Sequence, residues 1–194
     1  MLGQLIIETL VRPRSAARQV LAAGVPQVFV VQGALLVVCV GMLLNFVALR
    51  MIPITVDPIT ESMLRNPVVG AIEELLFLAL TVLLTVRVGR LFGGKGRFWD
   101  ALALLVWLNV VVIVVEAAQL LVLAVMPPIR GVIEIVAFAP LVWLTWVYAN
   151  FVAELHGFQN AFFVLGAMLL TALVLFFGVS MVLVMLGYSP QRLT

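Results

Sequence analysis

The chain has 194 residues, 65% of them hydrophobic and 10% charged, with a mean hydropathy of +1.28, where an ordinary soluble domain is roughly 25% charged. Eleven basic residues against nine acidic ones leave a formal charge of +2, too small an excess for nucleic-acid binding. Spans and short connections take up nearly all of this length, so a soluble catalytic domain is excluded and any function is intramembrane or carried by loops.

Residues 1–25 mix apolar side chains with Arg12, Arg14 and Arg18, and Pro13 interrupts a continuous helix. The pattern is that of an interfacial segment rather than a span. A cleaved signal peptide would carry its charges first and a short apolar core after them. Here the arginines come later and a full-length apolar run follows. That run, about 26–49, is the first predicted span: Pro26 suits a first helical turn and no charge occurs between Arg18 and Arg50. Gly33, Ala34 and Gly41 offer it a close-packing face. Cys39 is the lone cysteine, which excludes an internal disulfide or a cysteine metal cluster and leaves it a packing role.

The proline-rich stretch 51–67 is a loop outside the hydrocarbon, where Asp57 and Pro58 could begin a short surface helix. The second span, about 68–86, carries Glu73 and Glu74 near its start. Glu74, Thr81 and Thr85 share one of its faces, which is expected to look inward, while Glu73 turns toward the interface. Glycines stop this helix, and Arg87, Arg90, Lys95 and Arg97 form the densest basic cluster of the chain.

The third span, about 98–126, is the one around which the others are expected to pack. Asn109, Glu116 and Gln119 fall on or near one face of it at helical spacing. An ionisable side chain facing lipid costs at least about 2.5 kcal/mol, so that face has to meet other helices or a watery cavity. A fourth span, about 132–153, holds Glu134 early and Pro140 near its middle, where the missing N–H predicts a kink near Val136. Glu154, His156 and Gly157 mark a tight turn, and a fifth span follows over about 161–186.

The fold expected is therefore an all-α integral membrane protein, a single unit over 1–194 built as a five-transmembrane-helix bundle with a short N-terminal interfacial segment. Five spans put the termini on opposite sides. The end that would hold the N terminus collects Arg12, Arg14, Arg18, Arg87, Arg90, Lys95 and Arg97; the other holds Arg50, Arg65, Arg130 and Arg192. The positive-inside rule then makes the N terminus cytoplasmic. Glu73, Glu74, Glu116 and Glu134 all fall in the opposite half of the bilayer, with Arg50, Arg65 and Arg130 as candidate partners. With Asn109 and Gln119 they make up a candidate intramembrane polar cluster.

Other motifs lead nowhere. The Gly89 to Lys95 spacing imitates a phosphate-binding loop, but Gly96 stands where serine or threonine would hold magnesium, and no strand precedes it. A basic turn that fixes orientation and touches anionic lipid fits better. His156 has no second ligand nearby, so capping or a surface turn is favoured over a metal role. No catalytic constellation or cofactor fingerprint is present, so neither a cofactor nor a metal is expected. The polar cluster reads first as a buried structural network and second as an ion or proton path.

Three segments together resemble a known family: RPRSAARQVLAAG before the first span, RLFGGKGRFWDALALLVWLNVV across the basic loop, and WVYANFVAELHGFQNAFFVLGAMLLTALVL across the last two spans. They are similar to the Yip family of Ypt/Rab-interacting membrane proteins, in its compact bacterial form. The resemblance implies a five-helix membrane bundle with a cytoplasmic N terminus. Its eukaryotic members are associated with Rab GTPases through a longer N-terminal region. With only residues 1–25 ahead of the first span, Rab-type GTPase binding is not expected here. Ten arginines against one lysine point to a GC-rich bacterial source and the cytoplasmic membrane. The function expected is that of a non-enzymatic scaffold or partner subunit, contacting lipids and a membrane-protein partner or a second copy. A small ion, proton or solute carrier and an intramembrane lipid-handling enzyme are the alternatives.

Overall fold

Every regular element in the computed structural model, which describes residues 2–51, 66–125 and 130–185, is an α-helix. In order these are α1 (Leu2–Val11), α2 (Pro13–Ala22), α3 (Gln27–Met51), α4 (Pro67–Leu91), α5 (Phe98–Val125), α6 (Arg130–His156) and α7 (Ala161–Met185). Four of them, α3, α4, α5 and α7, are long and apolar enough to cross a membrane. At 1.5 Å per residue the 27-residue α6 is about 40 Å long and completes five long helices. The bundle matches the expected fold, and the interfacial segment becomes two short helices broken at Arg12 and Pro13. Asp57, Pro58 and Arg65 lie outside the described residues.

The long helices are hydrophobic all round, so amphipathic periodicity does not decide which packs on which. In lipid, close contact between small residues, dispersion and satisfied polar groups do so instead. α5 occupies the centre, packed by α3, α4, α6 and α2. Its Ala101, Leu102 and Leu105 bury against Val30 and Ala34 of α3 and Leu78, Val82 and Val86 of α4. On its other side Leu104 and Leu108 meet Val147 and Phe151 of α6, together with Ala17 of α2. Gly33 allows the α3–α5 approach, since a Cβ there would stand 3.0 Å from a Val106 methyl. Gly41 faces open space instead and lines a cavity. α7 is held chiefly by α6, through Ala149, Val152 and Ala153 against Ala161 and Val164.

α4 runs through Leu91, five residues past the expected end, which makes Arg87, Gly89 and Arg90 helical. The stop is set further on by Gly93 in the left-handed region (φ 84°). There the Gly94 N–H bonds the Gly89 carbonyl (2.8 Å) and the Gly93 N–H bonds that of Arg90 (3.0 Å), the pattern of a Schellman cap. α6 ends in the same way: Gly157 has φ 75°, Phe158 N–H meets the Ala153 carbonyl (2.8 Å) and Gly157 N–H that of Glu154 (3.3 Å). α6 continues on both sides of Pro140. Six polar side chains along the spans are satisfied within their own helices: Thr81, Thr85, Thr145, Thr171, Asn109 and Asn150 each donate to the carbonyl four residues earlier. That saves the cost of an unpaired group in hydrocarbon.

Candidate functional site

Two polar assemblies stand out, one within the bundle and one at its basic end. The first lies between α3, α4 and α5, where Glu74, Thr81, Asn109 and Glu116, joined by Asn45 of α3, line a cavity of about 160 Å³. The inward face of α4 and the polar face of α5 thus meet around a common space. Asn45 was not among the expected members; it is a single amide in an apolar run, and only the packing of α3 brings it here.

The remaining expected members are not part of this cavity lining. Glu73 is exposed on α4, and Gln119 is half-buried one turn beyond Glu116. Arg50 is exposed, with its guanidinium 5.1 Å from the centre of the Phe46 ring, and forms no ion pair among the described residues. The side chains of Arg130 and Glu134, like all of Arg65, lie outside the described residues.

The second assembly joins the N-terminal helices to the α6–α7 turn. Arg14 Nε donates to Glu154 Oε2 (3.1 Å), while its two terminal nitrogens donate to the carbonyls of Gln159 (2.6 Å) and Phe158. Arg18 Nε donates to the other carboxylate oxygen (2.9 Å). The bond from Arg18, with a smaller one from Arg14, holds the Glu154 carboxyl below the usual carboxylate range. Glu8 ties α1 to α2 by accepting from Ser15 (2.6 Å) and Gln19 (2.7 Å). Fully buried Thr9 accepts from the Trp107 indole N–H (2.9 Å) and donates to Leu5 (2.7 Å). Trp107 is nine residues into α5, about 13 Å from its start. Through the Thr9–Trp107 bond α1 docks against α5, with Leu2, Ile7 and Val11 exposed.

His156 corrects an expectation. It is neither a cap nor a surface residue: at 4% exposure it is one of the most buried polar groups in the chain. Its Nδ1 lies 3.0 Å from the Val152 carbonyl, and its ring stacks on Phe158 at 5.5 Å. Its Nε2 has no hydrogen-bond partner among the described residues. Gly89, Gly94 and Gly96 enclose it. A Cβ on Gly96 would come within 2.7 Å of Nε2, and one on either of the other two would come closer still to the imidazole. The glycine run that imitates a phosphate loop is thus a slot for a histidine from another turn. Burial, reinforced by Arg90, pushes the His156 pKa down against the opposing pull of the Val152 carbonyl. The sequence signal for this was available only in retrospect: three glycines with no other turn to explain them all, and one unpaired histidine.

The basic loop and the N-terminal arginines consequently gather at one end. Arg87, Arg90, Lys95 and Arg97 are all exposed there, and Arg90 reaches across to the Gly96 carbonyl (3.2 Å). Among the described residues no cluster of three or more histidine, cysteine or acidic side chains is arranged to hold a metal ion.

The model of the Yip1 domain matches residues 7–182, and the chain belongs to this family. Neither the curated proteins nor the solved structures include a match. The matched range takes in α2, both Schellman-capped turns, four of the long helices whole and α7 as far as Val182, so the assembly at the basic end and the polar cavity both lie inside the family domain.

Proposed function

We propose that this Yip1-domain protein is a non-enzymatic scaffold or partner subunit of a membrane, working through helix packing and its basic end. The observation that carries the reading is the asymmetry of α7. It is anchored near its start by α6, and then presents Phe162 to Met185 as an apolar surface with exposed Leu173, Phe176, Phe177 and Val182. A helix held on one side by a rigid bundle can take a second membrane helix without rearranging the first. The Arg14–Arg18–Glu154 lock and the His156 slot fix the turn from which α7 leaves, so its direction is set. The gathering of seven basic residues at that end supports a cytoplasmic orientation for it.

The test is in-membrane photo-crosslinking from Phe176 on α7 and from Leu36, equally exposed on α3. Reproducible adducts to one protein, or to a second copy, from Phe176 and not from Leu36 are expected. Lipid adducts alone from both positions refute the scaffold.

A second reading is favoured by one specific feature, the 160 Å³ cavity shared by Glu74, Glu116 and Asn109. It is polar and roomy enough for several waters, each needing about 10–15 Å³ of such space. Under that reading the protein is a small carrier of protons or cations. A liposome flux present in the wild type and lost in Glu116→Gln at unchanged thermal stability selects it over the scaffold.

A further inference from the structure

We propose that His156 is an acid-sensitive latch: acid on the side of the basic end charges its ring, the ring leaves the glycine slot, and the loop from Gly94 to Arg97 is released from α6. This goes beyond the scaffold reading and does not depend on it.

The slot admits a neutral imidazole and no other form. A carbonyl can only accept, so Nδ1, 3.0 Å from the Val152 oxygen, carries the proton of the neutral ring and Nε2 carries its lone pair. A second proton must therefore go to Nε2. Among the described residues that atom is the one buried side-chain nitrogen or oxygen left without a hydrogen-bond partner, so the added N–H would find no acceptor. Water cannot reach it between the ring and the glycines: a Cβ on Gly96 would already stand 2.7 Å from Nε2, and one on Gly89 nearer still. A buried charge without a partner either gives up its proton or moves to water.

The charges around the slot do not offset the new one. Arg87 and Arg90 of α4 and Lys95 and Arg97 of the loop are all exposed cations, and Arg90 is the one whose charge opposes protonation of the ring. α7 offers no titratable side chain over Ala161–Met185. On α6 itself the nearby acid is Glu154, and both its oxygens are taken by Arg14 and Arg18 of α2. Asp100, early in α5, does not act on the ring.

The ring has a short way out. His156 is the last residue of α6 and Gly157, at φ 75°, follows it, so opening one turn at a helix end, where local unfolding costs least, carries the imidazole to water. The bonds that remain on the loop are local to α4: Gly94 N–H to the Gly89 carbonyl (2.8 Å) and Arg90 to the Gly96 carbonyl (3.2 Å). The imidazole, by contrast, reaches from α6 to all three glycines. Its departure unlocks the loop and the end of α6 together.

The test uses the full chain in mild detergent, with hydrogen exchange corrected for the intrinsic rate at each pH. The reporters are the amides of Gly94 and Phe158, each held by a 2.8 Å bond on one side of the latch. Between pH 7.5 and 5 their protection should fall about ten- to thirtyfold, the upper figure being what an ordinary imidazole in the open form allows. Amides around Leu104 in α5 should keep theirs, and Glu154, whose carboxyl lies below the usual range, stays charged throughout this window and keeps α2 clasped. His156→Gln, which cannot titrate, should flatten the profile. The chain has one histidine, so its ring resonances report the charge directly in the wild type, whether or not that variant folds: at pH 7.5 they should show a neutral ring protonated on Nδ1. A fall in protection smaller than tenfold overturns the proposal. So does one that extends equally to α5 or persists in His156→Gln, or a charged ring in a protein whose two reporter amides are still protected.

Discussion

Gly89→Ala reverses the sign that helix propensity assigns to it. Gly89 lies inside α4, where glycine costs roughly 0.5–1 kcal/mol relative to alanine, so an isolated helix gains stability from the change. In the folded chain the new methyl lands on the imidazole of His156, a ring with no open side because Gly94 and Gly96 face it too. Forcing a side chain into a filled site costs about 1–3 kcal/mol, which offsets the propensity gain and leaves a net loss of up to about 2 kcal/mol. Vacating the slot with His156→Ala should restore the intrinsic sign, so that Gly89→Ala then stabilises by about 0.5–1 kcal/mol. The four proteins form a double-mutant cycle with a coupling of about 1–3 kcal/mol. Tryptophan-monitored unfolding in mild detergent measures it. A coupling near zero, with Gly89→Ala stabilising the wild type as much as it stabilises the His156→Ala background, or a penalty that persists in that background, refutes the slot.

Acid should act twice at the same end. The Glu154 carboxyl has a lowered pKa in the folded state, so its contribution is complete above about pH 4.3 and fades as pH falls through the lowered value. Proteolysis of the N-terminal helices in Glu154→Gln should be faster than in the wild type at pH 7, and the two should converge once the pH falls below the lowered value. His156 is also lowered, and because its unfolded form takes up protons first, stability is full above about pH 6.5 and declines below it. That decline should be absent from the unfolding midpoints of His156→Ala between about pH 6.5 and 5. Trp107→Phe keeps the ring but removes the indole donor to Thr9, at a cost of about 1 kcal/mol; hydrogen exchange of α1 should accelerate while that of α5 stays unchanged.

The sequence by itself determined the class of the protein and the number of long helices. A bilayer core demands about 20 apolar residues per span and satisfied backbone throughout, so each element is written locally as an uninterrupted run. It also singled out α5 as the centre, because Asn109 and Glu116 could not face lipid, and it put Glu74 and Thr81 on one face by spacing alone. Tertiary structure decided what met what. Hydrophobicity is nearly uniform around these helices, so no stripe recorded their neighbours, and Asn45 joined the cavity through the packing of α3. The end of α4 moved to Leu91 because a Schellman cap needs φ above zero at only one glycine, and Gly93 rather than Gly89 supplied it. Gly89, Gly94 and Gly96 were kept small by a ring some sixty residues away in sequence, and Arg14 was aimed at a carboxylate on α6. Contacts of that kind are set by which surfaces come together in three dimensions, and neither local periodicity nor composition carries that information.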